Sequence, residues 1–142
     1  MPALDVSDED IESTFETNIF SIIKIVRELG PFIIRARGKI VNIGSITAVT
    51  PYVFGSVYNA TKGALQAYSN TLRLELAPFG VQVILVVTGG VQSRIARTER
   101  ILPEGSLYLP ISAEYRRRVT HSQGEKRTSL SAVSCSWRAD QL

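Results

Sequence analysis

The sequence predicts an α/β fold organised around one βαβ unit, and three stretches predict it. Lys39 to Ile43, inside GKIVNIGS, is a short β-rich run bounded by glycines. VQVILVV, residues 81–87, is nearly all apolar and β-branched, which is how a strand buried on both faces reads. Between them a helix is predicted from about Ser56 to Ala77, stopped by Pro78 and Gly80. A long helical crossover requires the two strands to be parallel, with a right-handed connection.

The remaining elements follow in chain order. Ser7, followed by Asp8, Glu9 and Asp10, reads as a helix N-cap with an acidic first turn that suits the helix dipole. This first helix is predicted to run to about Leu29, with Gly30 and Pro31 stopping it. Ile11, Phe15, Ile19, Ile22 and Val26 form its apolar stripe at helical period. Asn18 lies within that stripe, and a buried amide requires a partner. Residues 46–55, with Pro51 and Gly55, read as a loop. Ala60, Gly63, Ala64, Ala67 and Thr71 suit close packing of the second helix against a sheet or another subunit. Beyond Gly89 and Gly90 the pattern weakens: a short helix over Val91–Arg100, a loop around Pro103 and Pro110, and a helical turn or two over 113–120. From His121 onward Ser, Thr and Arg dominate without hydrophobic period. Residues 1–120 are therefore read as one domain and 121–142 as a disordered tail.

Bulk properties exclude several classes. A chain of 142 residues with 44% hydrophobic and 20% charged residues fits one globular domain at most. The net charge of +3 is mild and its cations are scattered, which gives no case for nucleic acid. Cys135 is the single cysteine, so no intrachain disulfide forms and a reducing, cytoplasmic setting is expected. Asp5, Asp8, Glu9 and Asp10 near Met1 do not read as a signal peptide, and no uninterrupted apolar run is long enough to span a bilayer. His121 and Cys135 have no partners at metal spacing, and no metal is assigned.

The residues that carry chemistry lie in and around YNATK, residues 58–62. Positions i and i+4 share a helix face, so Tyr58 and Lys62 point the same way. Ser45 stands at the C-terminal end of the first strand, and Thr88, Gly89 and Gly90 follow the second. Ligands of open α/β sheets bind outside the carboxyl ends of the strands, so these residues are expected to face one crevice. An ammonium near a phenol favours the phenolate, which equips Tyr58 to exchange a proton with a substrate oxygen. The Ser45 hydroxyl is suited to hold that oxygen. This apparatus fits carbonyl/alcohol interconversion and requires a redox cofactor as hydride source. Arg94, Arg97 and Arg100 recur every three residues; the alternatives are a substrate phosphate and a solvated helix face, of which the second is the commoner.

Asn18, Ser45, Tyr58 and Lys62 resemble the Asn–Ser–Tyr–Lys tetrad of the short-chain dehydrogenase/reductase family, with successive spacings of 27, 13 and 4 residues. The resemblance covers roughly residues 1–123. GSVYNATKGALQAYSNTLRLELAPFGVQV and VVTGGVQS are similar to its branch of fungal 1-acyldihydroxyacetone-phosphate reductases. It implies the C-terminal part of a Rossmann-like, doubly wound fold and an NADP(H)-dependent reductase of a lipid-derived ketone. It also implies roles. Tyr58 would be the general acid/base, Lys62 the ligand of the nicotinamide ribose, and Ser45 the residue orienting the carbonyl. Asn18 would hold a water in a proton relay with Lys62. Thr88, Gly89, Gly90, Val91 and Ser93 would lie near the nicotinamide, with Thr88-Gly89 standing where the family usually has Pro-Gly. The branch implies the cytosolic face of the endoplasmic reticulum or lipid droplets.

The family begins with a glycine-rich turn that cradles a pyrophosphate, and residues 1–142 contain no GxGxxG. NADPH is therefore expected to bind weakly, and strand 39–43 is expected to have a bare edge that recruits other chains. Two functional readings result. One is an active reductase. The other is a truncated, catalytically silent fragment, or the product of an incomplete gene model, that acts at most as an oligomerisation module. It would pair with itself or with full-length relatives through its two long helices.

Overall fold

The computed structural model describes residues 1–89, 100–124 and 133–134. Helix α1 (Asp8–Phe15) begins as the sequence predicts: the Ser7 hydroxyl accepts from the Asp10 N–H at 3.1 Å. The chain then widens into one π turn, Glu16–Phe20, where the Ser21 N–H reaches back to the Glu16 carbonyl. It continues without a break as α2 (Ser21–Arg35).

Gly30 and Pro31 do not stop this helix, contrary to the sequence expectation; Pro31 lies inside it. A proline there removes the donor that would serve the carbonyl four residues earlier. The loss is offset by packing on both sides of it, because Val26, Ile33 and Ile34 lie against a cluster of Ile40, Leu72, Val81 and Val83. The real stop comes at Arg37, which has φ of 47°. Gly38 N–H bonds to Ile33 C=O at 2.9 Å and Arg37 N–H to Ile34 C=O at 3.0 Å. This is the paired bonding of a Schellman C-cap, here with arginine in the left-handed position.

Strand β1 (Lys39–Ile43) leads through a single 3-10 turn, Ile46–Ala48, and a loop to α3 (Ser56–Leu76). A second 3-10 turn, Ala77–Phe79, closes on Gly80 at φ of 72° and delivers the chain to β2 (Gln82–Val87). β1 and β2 are parallel, with Ile40 opposite Val83 and Asn42 opposite Leu85. Helix α4 (Ser112–Gly124) is longer than the turn or two predicted. It takes in 121–124 from the expected tail, and β3 (Val133–Ser134) takes in two more of its residues by pairing antiparallel with β2 at Val86 and Val87. The sheet order is β1-β2-β3. The expected helix over 91–100 lies, except for Arg100, outside the described residues.

The core sits on one side of this sheet. Ile19, Leu65 and Leu85 form a second buried cluster, flanked by Phe15, Ile22, Tyr68 and Val87. β2 is not buried on both faces as its composition suggests. Val83 and Leu85 are buried, while Ile84 and Val86 are only half-buried. An apolar strand records what a sheet is built to have on each face, and among the described residues the second face has no helix on it. No described helix is long and apolar enough to cross a membrane.

Candidate active site at the carboxyl end of the sheet

Ser45 is buried just past the end of β1. Its extended backbone lets its side chain turn onto the next residues: Oγ accepts from Thr47 N–H at 3.2 Å and from Thr47 Oγ1 at 3.0 Å. With two bonds accepted, the Ser45 hydroxyl proton is the part left to give, so the side chain is set to act as a donor.

Lys62 is half-buried on α3 and donates from Nζ to the Ile43 carbonyl at 3.0 Å. Its ammonium lies 5.6 Å from the centroid of the Tyr58 ring. Burial pushes the Lys62 pKa below its ordinary value, since desolvation penalises the charged form. The Tyr58 hydroxyl has no hydrogen-bond partner among the described residues, and the side chain is 42% exposed, so the phenol is accessible from outside.

Asn18 sits in the π turn, a local widening that often marks functional positions in helices. Its Nδ2 donates to Thr61 Oγ1 at 3.1 Å, and Thr61 Oγ1 donates to the Tyr58 carbonyl at 2.8 Å. Thr61 is fully buried. It is the residue that sequence reasoning missed, although its place three residues after Tyr58 and next to Lys62 puts a polar group on the packed side of α3. The amide on the apolar stripe therefore has a partner, and that partner anchors the tyrosine-bearing turn.

Thr88 ties the two strand ends together. Its Oγ1 donates to Gly44 C=O at 3.0 Å and its carbonyl accepts from Ile46 N–H at 3.0 Å. Among the described residues, a Cβ at Gly89 would meet nothing within 4 Å. The structure thus brings Asn18, Ser45, Lys62 and Thr88 to the carboxyl end of the sheet through named bonds, with Tyr58 beside Lys62. Ser45 and Tyr58 make no bond to one another. Gly90, Val91 and Ser93 lie outside the described residues.

The family profile described as short chain dehydrogenase matches residues 1–101. The chain belongs to that family. It is 47% identical over 124 residues to a short-chain dehydrogenase of Aspergillus ruber, an alignment covering 86% of this chain and 43% of that protein. It is 45% identical over 115 residues to an NADPH-dependent 1-acyldihydroxyacetone phosphate reductase of Schizosaccharomyces pombe, covering 77% of this chain and 39% of the relative. Among solved structures it is similar to a short-chain dehydrogenase from Streptomyces avermitilis, with TM-score 0.67 and 26% identity over 84% of this chain and 45% of that one. It is also similar to the closed form of a serine dehydrogenase complexed with NADP+, with TM-score 0.68 and 25% identity over 87% of this chain and 46% of that one. The chain spans less than half the length of the curated relatives it matches. The partial Rossmann-like fold read from the sequence accords with these neighbours.

Proposed function

We propose that this chain carries the carbonyl-handling part of an NADP(H)-dependent reductase that converts a lipid-derived ketone to a secondary alcohol. The substrate we favour is 1-acyldihydroxyacetone phosphate. The observation that carries the reading is the placement of Lys62: tied to the end of β1, it sits beside an accessible tyrosine phenol.

The roles follow from the bonds each group has left. Ser45 gives its hydroxyl proton to the ketone oxygen as a hydrogen bond and fixes where that oxygen lies. Tyr58 passes its phenolic proton to the same oxygen as the carbonyl carbon is reduced. Lys62 spends one N–H on Ile43 and keeps two for a ribose diol. Asn18, held through Thr61, keeps its side-chain oxygen for a water that returns protons toward Lys62. The remaining donors of Lys62 suit the nicotinamide end of NADPH, with Thr88, Gly89, Gly90, Val91 and Ser93 assigned to the same end. When bound, that cofactor supplies the hydride.

The test is NADPH oxidation with 1-acyldihydroxyacetone phosphate, comparing the chain with Tyr58→Phe. Loss of about 100-fold or more in rate is expected, as for removal of a general acid. Equal rates would remove Tyr58 from the mechanism. An acylated ketone also favours work at the cytosolic face of the endoplasmic reticulum or at lipid droplets, which fractionation of a tagged chain checks; recovery only in the clear supernatant would end that part.

A second reading is favoured by the exposed apolar side chains Val41 and Ile43 on β1, an edge strand. In it the chain is catalytically silent and pairs with itself or with full-length relatives through α1–α2 and α3, where Phe20, Leu29, Phe32 and Leu74 are also exposed. Size-exclusion chromatography separates the cases: a folded monomer at all concentrations counts against this second reading.

A further inference from the structure

Segment 46–55 joins Ser45 to α3, whose first turn bears Tyr58, so by connectivity it forms a rim of the proposed site. At its centre the Tyr52 carbonyl accepts from Asn59 Nδ2 at 3.1 Å and from Gly55 N–H at 3.2 Å. The Arg118 guanidinium of α4 stacks over the Tyr52 ring, with Cζ 4.5 Å from the centroid. α4 is fixed against this loop by aromatic packing: Phe54 meets Tyr108 at 6.2 Å and the buried Tyr115 at 5.1 Å, both edge to face. The stack is therefore held at both ends by ordered structure rather than by two free side chains.

What Arg118 lacks is an anion. The ion pairs among the described residues are Lys24–Glu16 and Arg27–Glu28, and Arg118 has neither a carboxylate nor a hydrogen-bond partner among them. A guanidinium held over an aromatic ring through its charge keeps N–H donors for other partners, and its fork matches phosphate or carboxylate oxygens. On the same loop Val49 and Val53 are exposed, at 72% and 55%. A cation with apolar side chains close by in the chain suits an amphiphile with an anionic head.

We propose that Arg118, positioned by Tyr52, is the residue that reads the phosphate monoester of the ketone substrate. This rests on the assignment of Ser45 and Tyr58 to the ketone oxygen. Arg94 and Arg97 lie outside the described residues, while the Arg100 backbone carbonyl is engaged by the Tyr115 hydroxyl at 3.0 Å.

The test needs no cofactor and no turnover. The full chain is titrated with dihydroxyacetone phosphate, dihydroxyacetone and inorganic phosphate, followed by NMR of backbone amides and arginine Nε–H signals. Dihydroxyacetone phosphate should bind at least 10-fold tighter than dihydroxyacetone and shift the Arg118 Nε–H signal. Arg118→Gln should weaken binding of both phosphate-bearing probes by about 10- to 100-fold, the range of a lost charge-assisted hydrogen bond. Arg118→Lys, which keeps the charge and the packing stem, should lose part of it. Arg117→Gln should bind as the unsubstituted chain does. Equal affinity for the phosphorylated and unphosphorylated ketones, undiminished binding by Arg118→Gln, or an equal loss in Arg117→Gln would each overturn the proposal. If Tyr58→Phe leaves turnover intact, the mechanism fails on its own; if phosphate discrimination is absent, only the Arg118 role fails.

Discussion

The two faces of the sheet are built from the same kinds of residue and have opposite fates. On one face Ile40, Asn42, Val83 and Leu85 are buried beneath the helices. On the other, Val41 and Ile43 are 54% exposed and Ile84 and Val86 are half-buried. Parallel register makes the assignment unambiguous, since Ile40 pairs with Val83 and Val41 with Ile84. The covered face is where a polar pair has been accommodated: Asn42 Nδ2 donates to Ser69 Oγ at 2.9 Å, wholly inside. The candidate site belongs to this face too, because α1–α2 and α3 carry Asn18, Tyr58 and Lys62 to its carboxyl end. The difference teaches that the described residues complete the layer that holds the chemical groups and leave the opposite layer open.

The contrast can be broken by substitution. Leu65 is fully buried on the covered side, so Leu65→Ala should cost about 2–5 kcal/mol in urea unfolding, through lost transfer energy and a cavity. A loss under about 1 kcal/mol would mean that this side is not tightly packed. Ser69→Ala leaves the Asn42 amide without its partner and should cost about 1–3 kcal/mol by the same measurement; an unchanged midpoint would show that water reaches the pair. On the open face Val41→Lys should change stability by no more than about 0.5 kcal/mol. It should also lower concentration-dependent association in analytical ultracentrifugation. A large destabilisation there would reveal a covering layer.

The smallest effect is a matter of pH. The Lys62 pKa is lowered in the folded chain by burial, so the unfolded chain binds the proton more tightly. Stability should therefore rise with pH through the interval between the lowered value and the ordinary 10.5, and the burial penalty is present in full below it. Lys62→Met should flatten that rise when urea midpoints at pH 8 and pH 10 are compared. An undiminished rise in the variant would assign the effect to another group.

Much of this was legible in the residues. β1 has the bounds its flanking glycines suggest, α3 ends within a residue of its expected stop, and the parallel pairing follows from the long crossover. Ser45, Tyr58, Lys62 and Thr88 were expected at one end of the sheet from helix period and strand ends, while Asn18 joined them only through the family resemblance. Most of the failures depended on something distant in the chain. Pro31 reads as a stop until Ile33 and Ile34 are seen packed beyond it. β2 reads as doubly buried because its composition does not say which face is covered. β3 is two residues held by a partner far back in the chain, with Val86 opposite Ser134 and Val87 opposite Val133. The Arg118–Tyr52 stack joins residues that no local pattern connects. The π turn at Asn18 has no periodic signature in a run of ordinary helix formers.

Thr88 has a mechanical consequence. Its hydroxyl grips Gly44 and its carbonyl grips Ile46, the two neighbours of Ser45 on either side. The serine hangs between those two grips like a beam between supports, so its backbone is fixed on both sides by the end of the second strand. The position of the first strand's terminal hydroxyl is thereby set by a residue of the second strand's exit rather than by its own strand alone.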